Sequence, residues 1–164
     1  MILNLALGSL LLAASPALAQ RQMEKLGRGV VALHSATSQA YVSWRLLATD
    51  PSDIGFNIYR SANGGAGVKL NVSAITTTTD FLDTTANFTI SNAWYVVPVL
   101  NNVEQTPSAP YGLAANSPVR QYIPLPLVNP GPYPPYDVKF CWFGDFDGDG
   151  EYDYLVDQIG RAHV

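Results

Sequence analysis

The chain has 164 residues, and its 9 Lys and Arg against 13 Asp and Glu give a formal net charge of −4. The basic residues are scattered, which argues against a nucleic-acid surface, because phosphate binding needs grouped Lys and Arg. The single cysteine, Cys141, excludes a disulfide within the chain. The length suffices for one domain and part of a second.

The first 19 residues predict a secretory signal peptide. They are uncharged and apolar, and they end in Ala17-Leu18-Ala19, the small-x-small pattern of a cleavage site. The alternative is a membrane anchor, but the apolar run is short for the roughly 20 residues of a span, and Pro16 interrupts its end. We therefore expect a secreted, extracellular protein with no membrane segment once the signal is removed.

Residues 20–105 predict a small antiparallel β domain. Short runs of alternating side chains have the two-residue period of strands, and turn-forming residues separate them. After a polar lead into a first strand near residue 33, the expected strands are 40–47, 55–60, 69–72, 78–83 and 93–99. No segment has a sustained helical repeat, so the pattern favours a β-sandwich. Trp44 and Tyr95 are its candidate core aromatics.

The composition changes after residue 105. Prolines recur through residues 106–135 and predict a semi-rigid linker, because proline removes backbone donors and favours extended chain. Residues 136–158 then predict a strand, an acidic loop and a second strand. Such a hairpin cannot bury its own faces, so we interpret it as the start of a second β domain. Residues 159–164 fit read-through into a sequencing adapter, and His163 is given no role.

The acidic loop is the most specific motif. Its D-x-D-x-D-G-x-x-D pattern places oxygen-bearing side chains on alternate positions, and hard Ca²⁺ prefers about 6–8 oxygen ligands. The predicted ligands are the carboxylates of Asp145, Asp147 and Asp149, the backbone carbonyl of Glu151 and the closing carboxylate of Asp153. The calcium is expected to be structural. The alternative is an exposed acidic turn without a metal.

Other polar residues are given simpler interpretations. Arg45, Arg60 and Lys69 could contact an acidic polysaccharide, but scattered basic residues on a sheet are more typical of solvated surface. Cys141 lies in an apolar run and is expected to be a small buried side chain, with a partner cysteine elsewhere as the alternative. Two glycosylation sequons, 71–73 and 87–89, give weak support to secretion.

Several separated motifs together resemble rhamnogalacturonan lyases of polysaccharide lyase family 11. The matching segments are residues 21–29, 42–47, 56–60 and 138–153, in that order. The resemblance implies an all-β chain with an N-terminal fibronectin-III-like β-sandwich, followed by the truncated start of an eight-bladed β-propeller that binds calcium. It also implies cleavage of the rhamnogalacturonan I backbone of pectin by β-elimination.

In that reaction a base removes the proton at C5 of the uronate while its carboxylate is neutralised. The resemblance places the substrate cleft on the propeller, so no catalytic residue is assigned here and this chain alone is expected to be inactive. We expect a monomer. The alternative is a non-enzymatic extracellular adhesion or carbohydrate-binding protein, in which a fibronectin-like module precedes a calcium propeller.

Overall fold

The computed structural model describes residues 25–128 and 136–160, which form ten β-strands. The predicted signal peptide, the end of the predicted linker and residues 161–164 lie outside the described residues. The strands are β1 (Val31–Ala36), β2 (Gln39–Ser43), β3 (Gly55–Ala62), β4 (Val68–Lys69), β5 (Asp80–Asp83), β6 (Asn92–Leu100), β7 (Val103–Glu104), β8 (Tyr111–Leu113), β9 (Tyr136–Gly144) and β10 (Asp153–Gly160). The all-β prediction is therefore confirmed.

Eight of these strands form two antiparallel sheets. The first sheet has the order β1-β2-β5, and in the second β4, β3 and β6 are neighbours, while β7 and β8 also pair with β6. Apolar side chains from both sheets meet in one core, including Ala32 and Val42 from the first and Ile58 and Val96 from the second. Facing sheets that share a core form a β-sandwich.

The register of β6 corrects one expectation. Trp44 is buried as predicted, but the core aromatic of β6 is Trp94, which has no exposed surface, and not Tyr95. Adjacent side chains on a strand point to opposite faces, so burying Trp94 turns Tyr95 outward. There Tyr95 stacks on Tyr59 of the neighbouring strand, with ring centroids 5.3 Å apart.

A buried carboxylate links the two sheets. Asp83 of β5 is almost fully buried, and its Oδ2 accepts hydrogen bonds from Arg60 of β3 at 2.6 Å and from the Trp94 indole at 3.0 Å. Burial alone would raise the pKa of the Asp83 carboxyl, but bonds from the Thr85 side chain and backbone, from Trp94 and the Arg60 charge lower it below its usual value. The expectation that Arg60 is solvated surface is wrong, because this carboxylate holds it.

The sandwich extends beyond residue 105. β8 lies within the segment expected to be a linker, yet it pairs with β6. Further along, the Arg120 amide donates to the His34 carbonyl at 2.8 Å. The first part of the proline-rich segment therefore lies against the sandwich. Its backbone amides find carbonyl acceptors there, as the Arg120 amide does on β1.

β9 and β10 form a separate two-stranded antiparallel sheet. Many of its apolar side chains are exposed, among them Phe140, Trp142 and Leu155. Cys141 is also exposed, so the expectation that it is buried is wrong for the described structure. The part of the chain that the structure describes holds no helix with the length and apolarity of a membrane span.

Candidate metal centre

The hairpin β9–β10 presents the acidic loop at its tip. The two strands are in register up to the pair Gly144 and Asp153, so residues 145–152 leave the ladder and form the connection. Gly148 and Gly150 have φ angles of +80° and +92°, which favour glycine because other residues meet steric strain there. These two glycines let the loop curl back on itself.

Backbone amides orient the carboxylates of the loop. Asp145 accepts from the Gly148 and Gly150 amides at 2.7 and 3.1 Å, through different oxygens. Asp147 accepts from the amide of Asp149 at 3.1 Å, and Asp149 accepts from the amide of Glu151 at 2.8 Å, each through Oδ1. Each side chain is therefore held by the turn that follows it, an arrangement typical of Asp in tight turns.

Three of the five predicted ligands come together. One carboxylate oxygen each from Asp145, Asp147 and Asp149 lies within 4.8 Å of the other two. Two oxygens that each bind Ca²⁺ at about 2.3–2.6 Å can be no farther apart than roughly 5 Å, so this spacing fits a hard cation. The all-oxygen donor set also suits calcium better than zinc, which prefers nitrogen and sulfur.

The other two predicted ligands have different contacts. Asp153 is outside the close group, and its Oδ2 accepts a hydrogen bond from the Phe146 amide at 2.9 Å. The Glu151 side chain points to the sandwich, where it pairs with Arg45 at 3.4 Å. Its predicted role used only the backbone carbonyl, so that ion pair leaves the prediction for Glu151 open.

Arg45 joins the acidic loop to the sandwich. Besides the pair with Glu151, its guanidinium lies 4.2 Å from the centroid of the Tyr152 ring, within the range of a cation–π contact. It also donates to the carbonyl of Gly27 at 3.3 Å and to that of Gly150 at 3.4 Å. The expectation that Arg45 is solvated surface is wrong, because its guanidinium contacts Glu151 and Tyr152 of the acidic loop.

Glycines allow a close backbone approach beside Arg45. The Gly27 amide donates to the Gly150 carbonyl at 2.6 Å. A Cβ on Gly150 would meet the Lys25 carbonyl at 2.9 Å, and one on Gly27 would meet the Glu151 carboxylate at 2.8 Å. At Gly150 the close atom is backbone and φ is positive, so a side chain there would force the two segments apart, whereas at Gly27 the Glu151 side chain would have to move.

The segment that receives the loop is itself held by Arg28. Its guanidinium makes a two-pronged pair with Asp50, at 2.5 and 2.7 Å, and the Arg45 amide donates to the Arg28 carbonyl at 2.7 Å. Burial would raise the pKa of Asp50, but the bonds from Arg28 and from the Leu47 amide lower it below its usual value. These contacts of Arg28 attach the segment around Gly27, which contacts the acidic loop, to the sandwich.

Sequence reasoning found the acidic loop but missed its partners. Arg45 and Gly150 are 105 positions apart, so their contact depends on the tertiary path of the chain. The available signal was the pair of glycines at 27 and 29 around Arg28, since a Cβ on Gly29 would collide with the Arg45 guanidinium.

The sandwich matches a known family. Residues 21–113 match the family model described as the rhamnogalacturonan I lyases beta-sheet domain. The chain belongs to the rhamnogalacturonan I lyase family. This confirms the resemblance inferred from the separated motifs.

Two curated relatives are named as rhamnogalacturonan lyases. The chain is 33% identical over 145 residues to the rhamnogalacturonan endolyase YesW of Bacillus subtilis (strain 168), covering 84% of this chain and 21% of that protein. It is 31% identical over 147 residues to the rhamnogalacturonan exolyase YesX of the same organism, covering 84% of this chain and 22% of that protein. The chain thus spans about a fifth of the length of these relatives.

Among solved structures, an Fn3-like protein from Clostridium thermocellum aligns with a TM-score of 0.43 at 26% identity, covering 56% of this chain and 93% of that one.

Proposed function

We propose that this chain is the sheet domain and the adjoining acidic hairpin of a secreted rhamnogalacturonan lyase. The observation that carries the proposal is the family match over residues 21–113, together with two relatives named as rhamnogalacturonan lyases. The substrate of the longer protein is then the rhamnogalacturonan I backbone of pectin. Cleavage by β-elimination removes the C5 proton of a galacturonate and expels the oxygen at C4, so no water is consumed.

The proposed part of this chain in that reaction is structural. Its described residues hold the sandwich against the acidic loop through Arg45 and the Gly27–Gly150 hydrogen bond. The base and the substrate cleft are assigned to the propeller that would follow, and the chain alone is expected to have no lyase activity. The domain limits given above remain part of this proposal, except that the sandwich continues past residue 105 through β8.

The hairpin is proposed to be the first edge of that propeller. Its exposed aromatic side chains support the idea, since Phe143 is 70% exposed and Tyr154 is 61% exposed. A hairpin of two strands is marginal in water by itself, and further strands packed on these faces would stabilise it. A soluble protein rarely leaves such a contiguous apolar face uncovered.

Calcium is the proposed resident ion of the acidic loop. Asp145, Asp147 and Asp149 would supply side-chain oxygens, with the Glu151 carbonyl and Asp153 completing the shell. The close grouping of the three Asp carboxylates supports this proposal. When bound, the ion would neutralise charges that otherwise repel one another in a single turn.

The calcium proposal is tested on the longer protein recovered from the source transcript. Asp147→Asn removes one charged ligand and should weaken calcium binding by about tenfold or more in isothermal titration calorimetry. Asp53→Asn is the matched control, because Asp53 is an exposed carboxylate outside the loop. Equal affinity for calcium in the Asp147→Asn variant and the wild type would contradict the assignment.

The same preparations separate the metal proposal from the enzyme proposal. Formation of unsaturated uronate from rhamnogalacturonan is followed before and after calcium is removed with a chelator. Activity lost on chelation and restored by calcium is the expected result. If the enzyme is active but binds no calcium, the lyase proposal stands and the calcium proposal is wrong. If the protein binds calcium but has no lyase activity, the adhesion or carbohydrate-binding alternative is favoured.

A further inference from the structure

The two glycosylation sequons occupy different surroundings in the fold. Both have the form Asn-x-Ser/Thr, with Asn71 and Ser73 in one and Asn87 and Thr89 in the other. The sequence alone makes them equivalent acceptors. The hydrogen bonds of the two asparagine side chains separate them.

The Asn71 side chain makes hydrogen bonds within the fold. Its Oδ1 accepts the amide of Ile58 at 2.9 Å. Its Nδ2 donates to the Phe56 carbonyl at 3.2 Å, to Asn57 Oδ1 at 3.0 Å and to the Ser73 carbonyl at 2.7 Å. Two amide hydrogens thus serve three acceptors, and this side chain closes the open edge of β3. A sugar on Nδ2 would remove one of those hydrogens and bring a bulky group against a strand in the sandwich core.

Asn87 has the opposite arrangement. Its Oδ1 accepts the amide of Thr89 at 3.0 Å and the Thr89 hydroxyl at 2.8 Å, while its side chain is exposed. Its Nδ2 makes no hydrogen bond with any residue that the structure describes. The turn therefore holds the side-chain amide with its oxygen inward and its nitrogen facing solvent.

Phe88 fixes the direction of this turn. The residue is 9% exposed, and its ring stacks on His34 with centroids 3.5 Å apart. Because Phe88 is anchored in the core, its two neighbours are held on the outer side. A group attached to Asn87 would lie over the surface without disturbing the sandwich.

The surface beside Asn87 suits a sugar. A cleft of about 710 Å³ adjoins the turn, and its lining includes the hydroxyl and amide side chains of Thr37, Ser38, Thr84, Thr85 and Asn116. Hydroxyls and amides both donate and accept hydrogen bonds, as sugar hydroxyls do. The first sugars of a glycan at Asn87 would have polar partners there.

We propose that Asn87, and not Asn71, carries the N-linked glycan of the folded domain when the chain passes through a compartment that holds an oligosaccharyltransferase. The proposal rests on the secretion proposed above. The donor is an oligosaccharide linked to a lipid diphosphate. Asn87 Nδ2 attacks the anomeric carbon of the first sugar. The new C–N bond forms as the C–O bond to the diphosphate breaks, the lipid diphosphate leaves with the bonding electrons, and Nδ2 loses one proton to the transferase.

An oligosaccharide can be transferred to Asn71 before the chain folds. Whether such a chain then reaches the folded state depends on the contacts of Asn71. A chain with a sugar on Asn71 would lose the contacts to Phe56 and Asn57 that close the edge of β3, and it would fail to reach the folded state. Folded molecules are therefore expected to carry a glycan at Asn87 alone.

The test expresses the full chain behind a heterologous secretion leader in a eukaryotic cell and measures glycan occupancy by peptide mass mapping, in both the medium and the secretory-compartment fraction. The folded wild type should carry one glycan that an endoglycosidase removes. Ser73→Ala destroys the first sequon but keeps every Asn71 side-chain bond, and it should leave occupancy unchanged. Asn87→Gln should abolish occupancy, while Thr89→Ser, which keeps the sequon, should retain it.

Three results would overturn the proposal: a glycan on Asn71 in folded protein, occupancy that survives Asn87→Gln, or no glycan on the folded wild type in either fraction. Because the leader is heterologous, these results do not depend on the chain's own signal. Export directed by residues 1–19 is measured separately with the native leader, so failure of the secretion proposal remains distinguishable.

Discussion

Asp83 places a carboxylate between the two sheets, where its charge is paired and hydrogen-bonded. Arg60 and the Trp94 indole both contact its Oδ2, and the Asp83 side chain is 1% exposed. Removing one partner of a buried ion pair leaves an uncompensated charge and lowers the free energy of unfolding by several kcal/mol. This residue therefore offers the sharpest single-residue test of the sandwich.

Asp83→Asn should destabilise the sandwich by about 3 kcal/mol, because Arg60 is left without its charge partner in a largely buried position. Urea unfolding at neutral pH measures the effect. Asp53→Asn, an exposed carboxylate on a turn, should change the free energy of unfolding by less than about 0.5 kcal/mol. Equal stability in both variants would show that the pair contributes nothing.

The lowered pKa of Asp83 also predicts how stability depends on pH. A carboxyl whose folded pKa is below its unfolded value stabilises the fold above the unfolded pKa, and this contribution disappears as the pH falls through the folded pKa. Asp50, whose pKa is also lowered, acts in the same direction. The free energy of unfolding should therefore fall as the pH drops below about 4, and Asp83→Asn should make that fall shallower. An unchanged slope would contradict the pairing.

Arg45, Arg60 and Cys141 show which residue environments the sequence leaves open. Scattered arginines are typical of solvated surface, and only the tertiary path brings Asp83 to Arg60 and Glu151 to Arg45. Cys141 lies in an apolar run, but the face it occupies is uncovered in the described structure. A local sequence pattern shows which residues suit a strand or a turn, but it does not show which distant residues a side chain will contact in the fold.

At the scale of elements, alternation located the strands but not the face that each side chain takes. The strands expected at 55–60 and 93–99 correspond to β3 and β6, which pair along their lengths. Both Trp94 and Tyr95 are aromatic residues suited to a strand, so choosing between them required the cross-strand register. The short strands β7 and β8 have two and three residues, too few for a periodic signal.

The register gives a prediction for adjacent residues. Trp94→Ala should cost about 3–5 kcal/mol of stability, because it opens a cavity in the core. Tyr95→Ala removes an outer-face ring stacked on Tyr59 and should cost about 1 kcal/mol. Urea unfolding of the two variants compares them directly, and a larger loss for Tyr95→Ala would mean that the β6 register is wrong.

The docking of the acidic loop is tested by a matched pair of glycines. Gly150 and Gly64 both have positive φ, but a Cβ on Gly150 meets the Lys25 carbonyl at 2.9 Å, while one on Gly64 meets nothing within 4 Å. Alanine at either site should cost about 1 kcal/mol in backbone strain. Only Gly150→Ala should also separate the loop from the sandwich, so amide exchange at Gly27, which donates to Gly150, should accelerate in that variant alone. Equal exchange at Gly27 in both variants would show that the loop does not dock there.

At the scale of the whole molecule, the described sandwich and acidic hairpin belong to a chain that spans about a fifth of the length of its curated relatives. The D-x-D-x-D-G-x-x-D spacing predicted the grouping of Asp145, Asp147 and Asp149, because alternate positions in a curled turn bring oxygens together. It could not predict that Arg45 and Gly27 receive the loop. Through that contact the sandwich and the acidic loop are joined in the described structure.

The most direct test of the central claim is the chemistry of the new chain ends. The longer protein recovered from the source transcript is incubated with rhamnogalacturonan I in water labelled with heavy oxygen, and the products are analysed by mass spectrometry and ultraviolet absorbance. A lyase should give unsaturated uronate ends that contain no heavy oxygen, since β-elimination consumes no water. Saturated uronate ends formed together with heavy oxygen at rhamnose C1 of promptly reduced products, or no new ends at all, would contradict the assignment.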